Sequence, residues 1–108
     1  MSQWDPNHQT EHEQEVVTKT KKKVKKPPLY KVLLHNDDYT TMEFVVLMLM
    51  SVFHKKEEEA TRIMLAVHQQ GLGVAGVYTF EIAEEKVNRV IAEARNNDFP
   101  LLCTMEED

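Results

Sequence analysis

The dipeptide Pro27-Pro28 divides this chain more sharply than any other feature. Neither residue donates a backbone hydrogen bond, and the residue before each is driven toward extended backbone. A helix can begin at such a pair but cannot run through it, so the chain must be read as two pieces. Residues 1–28 hold five apolar side chains (Met1, Trp4, Val16, Val17, Val24), six lysines and four acids, a net charge of +2. Residues 29–108 hold 40 apolar residues in 80, with seven basic and fourteen acidic, a net charge of −7. The first piece has too little apolar surface to offset its ordering entropy, whereas the second has globular composition. A disordered arm, 1–28, followed by one domain, 29–108, is the expectation.

Cys103 is the single cysteine. It excludes an intramolecular disulfide framework and any multi-cysteine zinc or iron–sulfur site, and it fits a reducing compartment as a small buried apolar residue. The arm has no apolar stretch of the roughly 7–15 residues that a secretory peptide needs. The longest apolar run, Phe44–Met50, is far short of the roughly 20 residues that span a bilayer. A cytoplasmic protein without a membrane segment is expected. The lysines between Lys19 and Lys26 could contact nucleic acid, but the acidic domain behind them favours a solvated linker.

Within the domain, Leu29–His35 is short, aliphatic and bounded by turn formers, which predicts a strand. Thr40 stands three residues before Glu43, a capping-box spacing ahead of a helix over 41–53. A second helix is predicted over 57–70, with three glutamates in its first turn and Gly71 as a left-handed cap. Gly73–Thr79 reads as a strand. Ala83, Val87, Val90, Ile91 and Ala94 mark one face of a helix over 81–96. Pro100 ends that segment, and Leu101–Met105 makes the last strand. The order β-α-α-β-α-β implies an α+β fold: a three-stranded antiparallel sheet with the first strand central, covered on one face by three helices.

Two constellations stand out. Asn36-Asp37-Asp38 can be a plain strand-ending turn whose side chains bond local backbone. It has no calcium-loop spacing, and two adjacent carboxylates do not make an acid–base pair. On the second helix, Met64, Val67 and His68 stand at i, i+3 and i+4 and share a surface. If that helix packs beside the turn, an amide oxygen, carboxylates and an imidazole surround a wall of methionine and valine. Acceptors beside an apolar hole suit an ammonium attached to a bulky hydrophobic group, such as a peptide's free amino terminus. No activated nucleophile, metal cage or phosphate-binding loop is visible, so a binding module without cofactor or metal is favoured over an enzyme. A generic protein-interaction domain lacking an amine pocket is the main alternative; a hydrolase built on His68 and Asp37 lacks a nucleophile with an evident place beside the histidine.

Taken together, Tyr30-Lys31-Val32, Asn36-Asp37-Asp38-Tyr39-Thr40, Met42-Glu43-Phe44-Val45, Met64-Leu65-Ala66-Val67-His68, Gly76-Val77-Tyr78-Thr79 and Pro100-Leu101-Leu102-Cys103-Thr104 closely resemble ClpS, the adaptor family of the bacterial Clp protease. The resemblance covers about residues 28–106 and implies recognition of substrates that begin with Leu, Phe, Tyr or Trp, handed to the ClpA unfoldase of the ClpAP protease without hydrolysis by the adaptor. It implies that Asn36, Asp37, Asp38 and His68 hold the α-ammonium, and that Thr40, Met42, Val45, Met64, Val67 and Leu101 line the side-chain pocket, with Met42 gating against β-branched residues. It further implies that Glu81 and Lys86 dock on the amino-terminal domain of an AAA+ unfoldase. The expected protein is a monomer with no nucleic-acid or membrane partner. Three departures from the common pattern stand out: Thr41 where a proline at the first helical position is frequent, Lys56 where a capping residue is frequent and fraying is therefore expected, and an outward-facing apolar pair, Leu47 and Met50.

Overall fold

Two helices after the first strand bring the chain back antiparallel, and one helix after the second strand leaves the third parallel to it. Only a central first strand then gives an all-antiparallel sheet. The computed structural model has this arrangement. It describes residues 26–108, in the order β1 (Tyr30–His35), α1 (Met42–Ser51), α2 (Glu57–Gln70), β2 (Leu72–Tyr78), α3 (Phe80–Asn96) and β3 (Leu102–Glu107). The expected disordered arm falls, apart from residues 26–28, outside the described residues. The sheet order is β2-β1-β3, and both pairings are antiparallel.

Val32, Leu33 and Leu34 of β1 are all buried, and Val32 and Leu34, two apart on one face, join the core cluster. Val32 and Leu34 are fully buried beneath the helices, together with Ala75 of β2 and Cys103 of β3. Helix α2 lies across β2, α3 lies across β1 and β3, and α1 packs on α2. Among the described residues no polar or charged side chain is buried, so the core is held by apolar packing. The predicted stripe on α3 faces inward: Ala83, Val90 and Ala94 are buried, and Val87 and Ile91 are half-buried. The outer sheet face carries exposed Leu72, Val74, Val77 and Leu102, with a Lys31–Glu106 ion pair at 3.5 Å.

Several element ends differ from expectation. The predicted capping box of Thr40 and Glu43 is not formed. Thr41 is the N-cap of α1, in extended backbone, and its Oγ1 accepts from the Phe44 N–H at 3.1 Å. The Thr40 side chain instead turns back toward the preceding residues, its hydroxyl donating to Asp37 Oδ2 at 2.7 Å. Thr41 is thus a cap rather than the first helical residue. Helix α1 ends two residues before the expected Phe53, where the chain reverses through His54 at φ 58°. Helix α2 keeps its predicted bounds and closes on Gly71 at φ 90°, a conformation suited to glycine. Lys56 supplies no side-chain cap, yet the helix still begins at Glu57. At the end of α3, the N–H groups of Asp98 and Phe99 return to the carbonyls of Arg95 and Ala94 around Asp98 at φ 60°. This paired-bond stop brings Phe99 to 4.9 Å from the Phe44 ring.

On α1, Phe44, Val45, Met48 and Leu49 face inward. Leu47 and Met50 face outward, 53% and 40% exposed, as their positions predict.

Candidate functional site

One cavity of about 230 Å³ opens where the end of β1, the start of α1 and the last turns of α2 meet. Asn36, Asp37, Asp38, Thr40, Met42, Val45, Met64, Val67 and His68 line it. Its volume lies below the roughly 300–1,000 Å³ of pockets that engulf a small molecule. It suits a single side chain and the group beside it.

Each wall has a local origin. β1 ends at His35, and the next backbone N–H, that of Asn36, donates to the Gly71 carbonyl at 3.0 Å. That bond ties the Asn-Asp-Asp turn to the C-terminal end of α2. Asp37 then organises the turn: its Oδ1 accepts from the N–H groups of Tyr39 and Thr40 at 2.8 and 2.7 Å, and its Oδ2 from the Thr40 hydroxyl. These bonds give an Asx-turn. Thr41 starts α1 immediately afterwards, so Met42 and Val45, three apart, project to one side. Met64, Val67 and His68 face them from α2 at the predicted i, i+3, i+4 spacing.

The chemistry is divided across the cavity. Val45, Met64 and Val67 are buried and form the apolar wall; Met42 stands partly exposed at its edge. Asn36, Asp37, Asp38 and His68 form a rim rich in hydrogen-bond acceptors. Partial burial pushes the Asp37 carboxyl up, but the bonds from Thr40 and Tyr39 outweigh it and hold the group below its ordinary value. The turn therefore keeps a negative charge at neutral pH. His68 sits in the last turn of α2, where the helix dipole adds partial negative charge. A cation is favoured at this rim on both counts. Among the described residues no cluster of three or more His, Cys, Asp or Glu side chains could hold a metal.

The two expected docking residues have different surroundings on α3. Glu81, in the first turn of α3, lines an open groove with Glu84, Glu85, Asn88, Arg89 and Ala92. Lys86, five positions on and so about 140° around the helix, turns instead toward the end of α1. Its Nζ donates to the Val52 carbonyl at 2.7 Å and stands 5.2 Å from the Tyr78 ring centroid and 5.9 Å from that of Phe53. Leu101 is buried in the core cluster and is not among the residues lining the cavity.

One contributor escaped the sequence reading. Gly73, treated there only as the start of a strand, lies directly under Val67. The available signal was a glycine inside an otherwise apolar strand, which marks a close approach.

Comparison with known proteins identifies the family. The family model described as "ATP-dependent Clp protease adaptor protein ClpS" matches residues 25–104. An ATP-dependent Clp protease adapter protein ClpS from Myxococcus xanthus is 58% identical over 100 residues, covering 91% of this chain and 94% of the relative. One from Caulobacter vibrioides is 61% identical over 93 residues, covering 86% of this chain and 85% of the relative. A solved structure, Agrobacterium tumefaciens ClpS2 bound to L-phenylalaninamide, superposes with a TM-score of 0.74 at 40% identity, covering 77% of this chain and all of that one. The chain belongs to the ClpS family of Clp protease adaptors.

Proposed function

We propose that this chain binds the free α-amino group and bulky hydrophobic first side chain (Leu, Phe, Tyr or Trp) of N-degron substrates and delivers them to a Clp unfoldase-protease of the ClpAP type. The observation that carries the reading is the joining of an acceptor rim to an apolar wall within one cavity the size of a side chain. The related Agrobacterium protein, solved with L-phenylalaninamide, supports it: that ligand is a free amine beside an aromatic side chain.

In this reading Asn36, Asp38 and His68 accept from the ammonium, directly or through water. Asp37 fixes the turn and contributes its charge. The first side chain enters between Met42, Val45, Met64 and Val67. Burying a Leu or Phe side chain is worth about 1.5–3 kcal/mol, and each hydrogen bond to the charged amine adds roughly 1.5–3 more. A micromolar affinity would correspond to about 8 kcal/mol net of the cost of association. Glu81 and Lys86 serve docking on the amino-terminal domain of a ClpA-type unfoldase, and the arm serves delivery; neither role includes hydrolysis.

Titration with peptides beginning with Leu, Phe, Ile and Met, free and acetylated, tests the reading. Acetylation removes the charge and leaves acceptors unpaired, so at least tenfold weaker binding is expected. Equal affinity would refute an amine site and favour the generic interaction domain.

A further inference from the structure

Gly73 is buried in β2, opposite Leu34 of β1 and directly beneath α2. A Cβ at this position would stand 2.8 Å from Val67 Cγ2 and 3.3 Å from the Ile63 carbonyl oxygen. Its φ lies outside the left-handed region, in contrast to that of Gly71, so backbone conformation does not require glycine here. Space does. A glycine inside a strand weakens it, and what this one gains is a helix seated against the sheet.

The residue that uses the space is a wall of the cavity. Val67 is 3% exposed, so protein surrounds it on every side except the cavity it lines. A β-branched side chain in a helix has essentially one χ1 rotamer and cannot turn out of the way. Close-packed surroundings do not yield, and the empty cavity does. A methyl group at position 73 therefore drives Val67 toward the bound side chain.

We infer that Gly73 is a specificity-determining positioning residue: by letting Val67 lie back against β2, it sets the width of the cavity and admits the largest aromatic first residues. This rests on the amine-site reading above, and it goes further by assigning size selection to a residue that does not itself line the cavity.

The test measures binding of free-amine peptides beginning with Leu, Phe and Trp to four forms of the full chain: unsubstituted, Gly73→Ala, Val67→Ala, and both together. Gly73→Ala is expected to weaken Phe and Trp peptides at least fivefold more than Leu peptides. In the Val67→Ala background, where the obstructing methyl groups are gone, the same substitution should leave the ratios unchanged. A loss equal for all three peptides, or a change of ratio that persists without Val67, overturns the inference. So does an unchanged ratio in the single variant. If Gly73→Ala does not fold, Val67→Ala on the native glycine must raise Trp relative to Leu, and a flat result counts equally against it. Acetylated controls separate the two levels. If the unsubstituted protein binds them as tightly as free amines, the amine-site reading itself falls and takes the inference with it; if it prefers free amines, a failed ratio test strikes the inference alone.

Discussion

Lys86 of α3 donates from Nζ to the backbone carbonyl of Val52 at 2.7 Å, so the end of one helix is closed by a side chain of another. Helix α1 has no basic residue in its own last turn, and this ammonium supplies the charge its carbonyls favour. The rings of Phe53 and Tyr78 flank the same group, and Tyr78 lies over Gly76, where a Cβ would overlap its ring. The lysine is thus built into the corner between α1, β2 and α3. Replacing it by Met should cost about 1–2 kcal/mol from the lost charged hydrogen bond and cation–π contacts. A thermal melt should show Tm lower by at least roughly 4 °C. Glu81→Ala, on the exposed groove, should leave Tm nearly unchanged while weakening binding to an unfoldase amino-terminal domain. If Lys86→Met melts like the unsubstituted protein, the corner does not depend on it.

The two neighbouring threonines divide their work, and substitution should separate them. Thr41→Ala removes the α1 cap and should lower stability by about 1 kcal/mol, read from the shift of a urea midpoint at unchanged m-value. Thr40→Val leaves that cap in place but takes one hydrogen bond from Asp37. Its effect should appear as a rise in the Asp37 pKa by carboxyl NMR and as weaker peptide binding. Equal losses of stability with no movement of Asp37 would contradict the division.

Legibility followed the range of the interactions. The apolar period of α3 and the left-handed stop at Gly71 are local properties, and the strand order follows from the connections alone. The acceptor turn and the 64, 67, 68 triplet were also readable, because each is a short pattern on one element. What could not be read was which of two near neighbours caps the helix. Thr40 and Thr41 are chemically equivalent caps until Asp37 engages the first of them. Contacts that cross the fold were equally silent. The direction of Lys86 depends on where the end of α1 lies, and the importance of Gly73 depends on α2 settling over β2.

Asp37 also predicts an acid limb. Its carboxyl is held below the ordinary value in the folded chain, so the unfolded state takes up its proton first as pH falls. The associated stability is fully present above the ordinary carboxylate pKa and is lost as pH drops through the lowered folded value. Urea midpoints measured from pH 6 down to 2 should therefore decline less steeply for Asp37→Asn than for the unsubstituted protein. Parallel curves would show that the turn's hydrogen bonds do not depend on the charge.

The opposite limb belongs to Cys103 and Tyr78. Burial pushes the Cys103 thiol up from 9.0 to about 12, and burial also raises the Tyr78 phenol above its ordinary value. Both groups ionise more readily in the unfolded chain, so the unfolded state loses protons first as pH rises. Their contribution is complete below the ordinary thiol value of 9.0 and disappears by about 12 for the cysteine. Denaturant midpoints should fall through that alkaline range, and Cys103→Ala should flatten the fall even though its midpoint at neutral pH is lower from the lost packing. The same burial makes the thiol a reporter of opening. At pH 8 an excess of a thiol reagent should label Cys103 only as fast as the domain unfolds, since the thiolate is the reactive form and the folded site suppresses it. A labelling rate in native buffer close to that in urea would mean that β3 opens without the rest of the sheet.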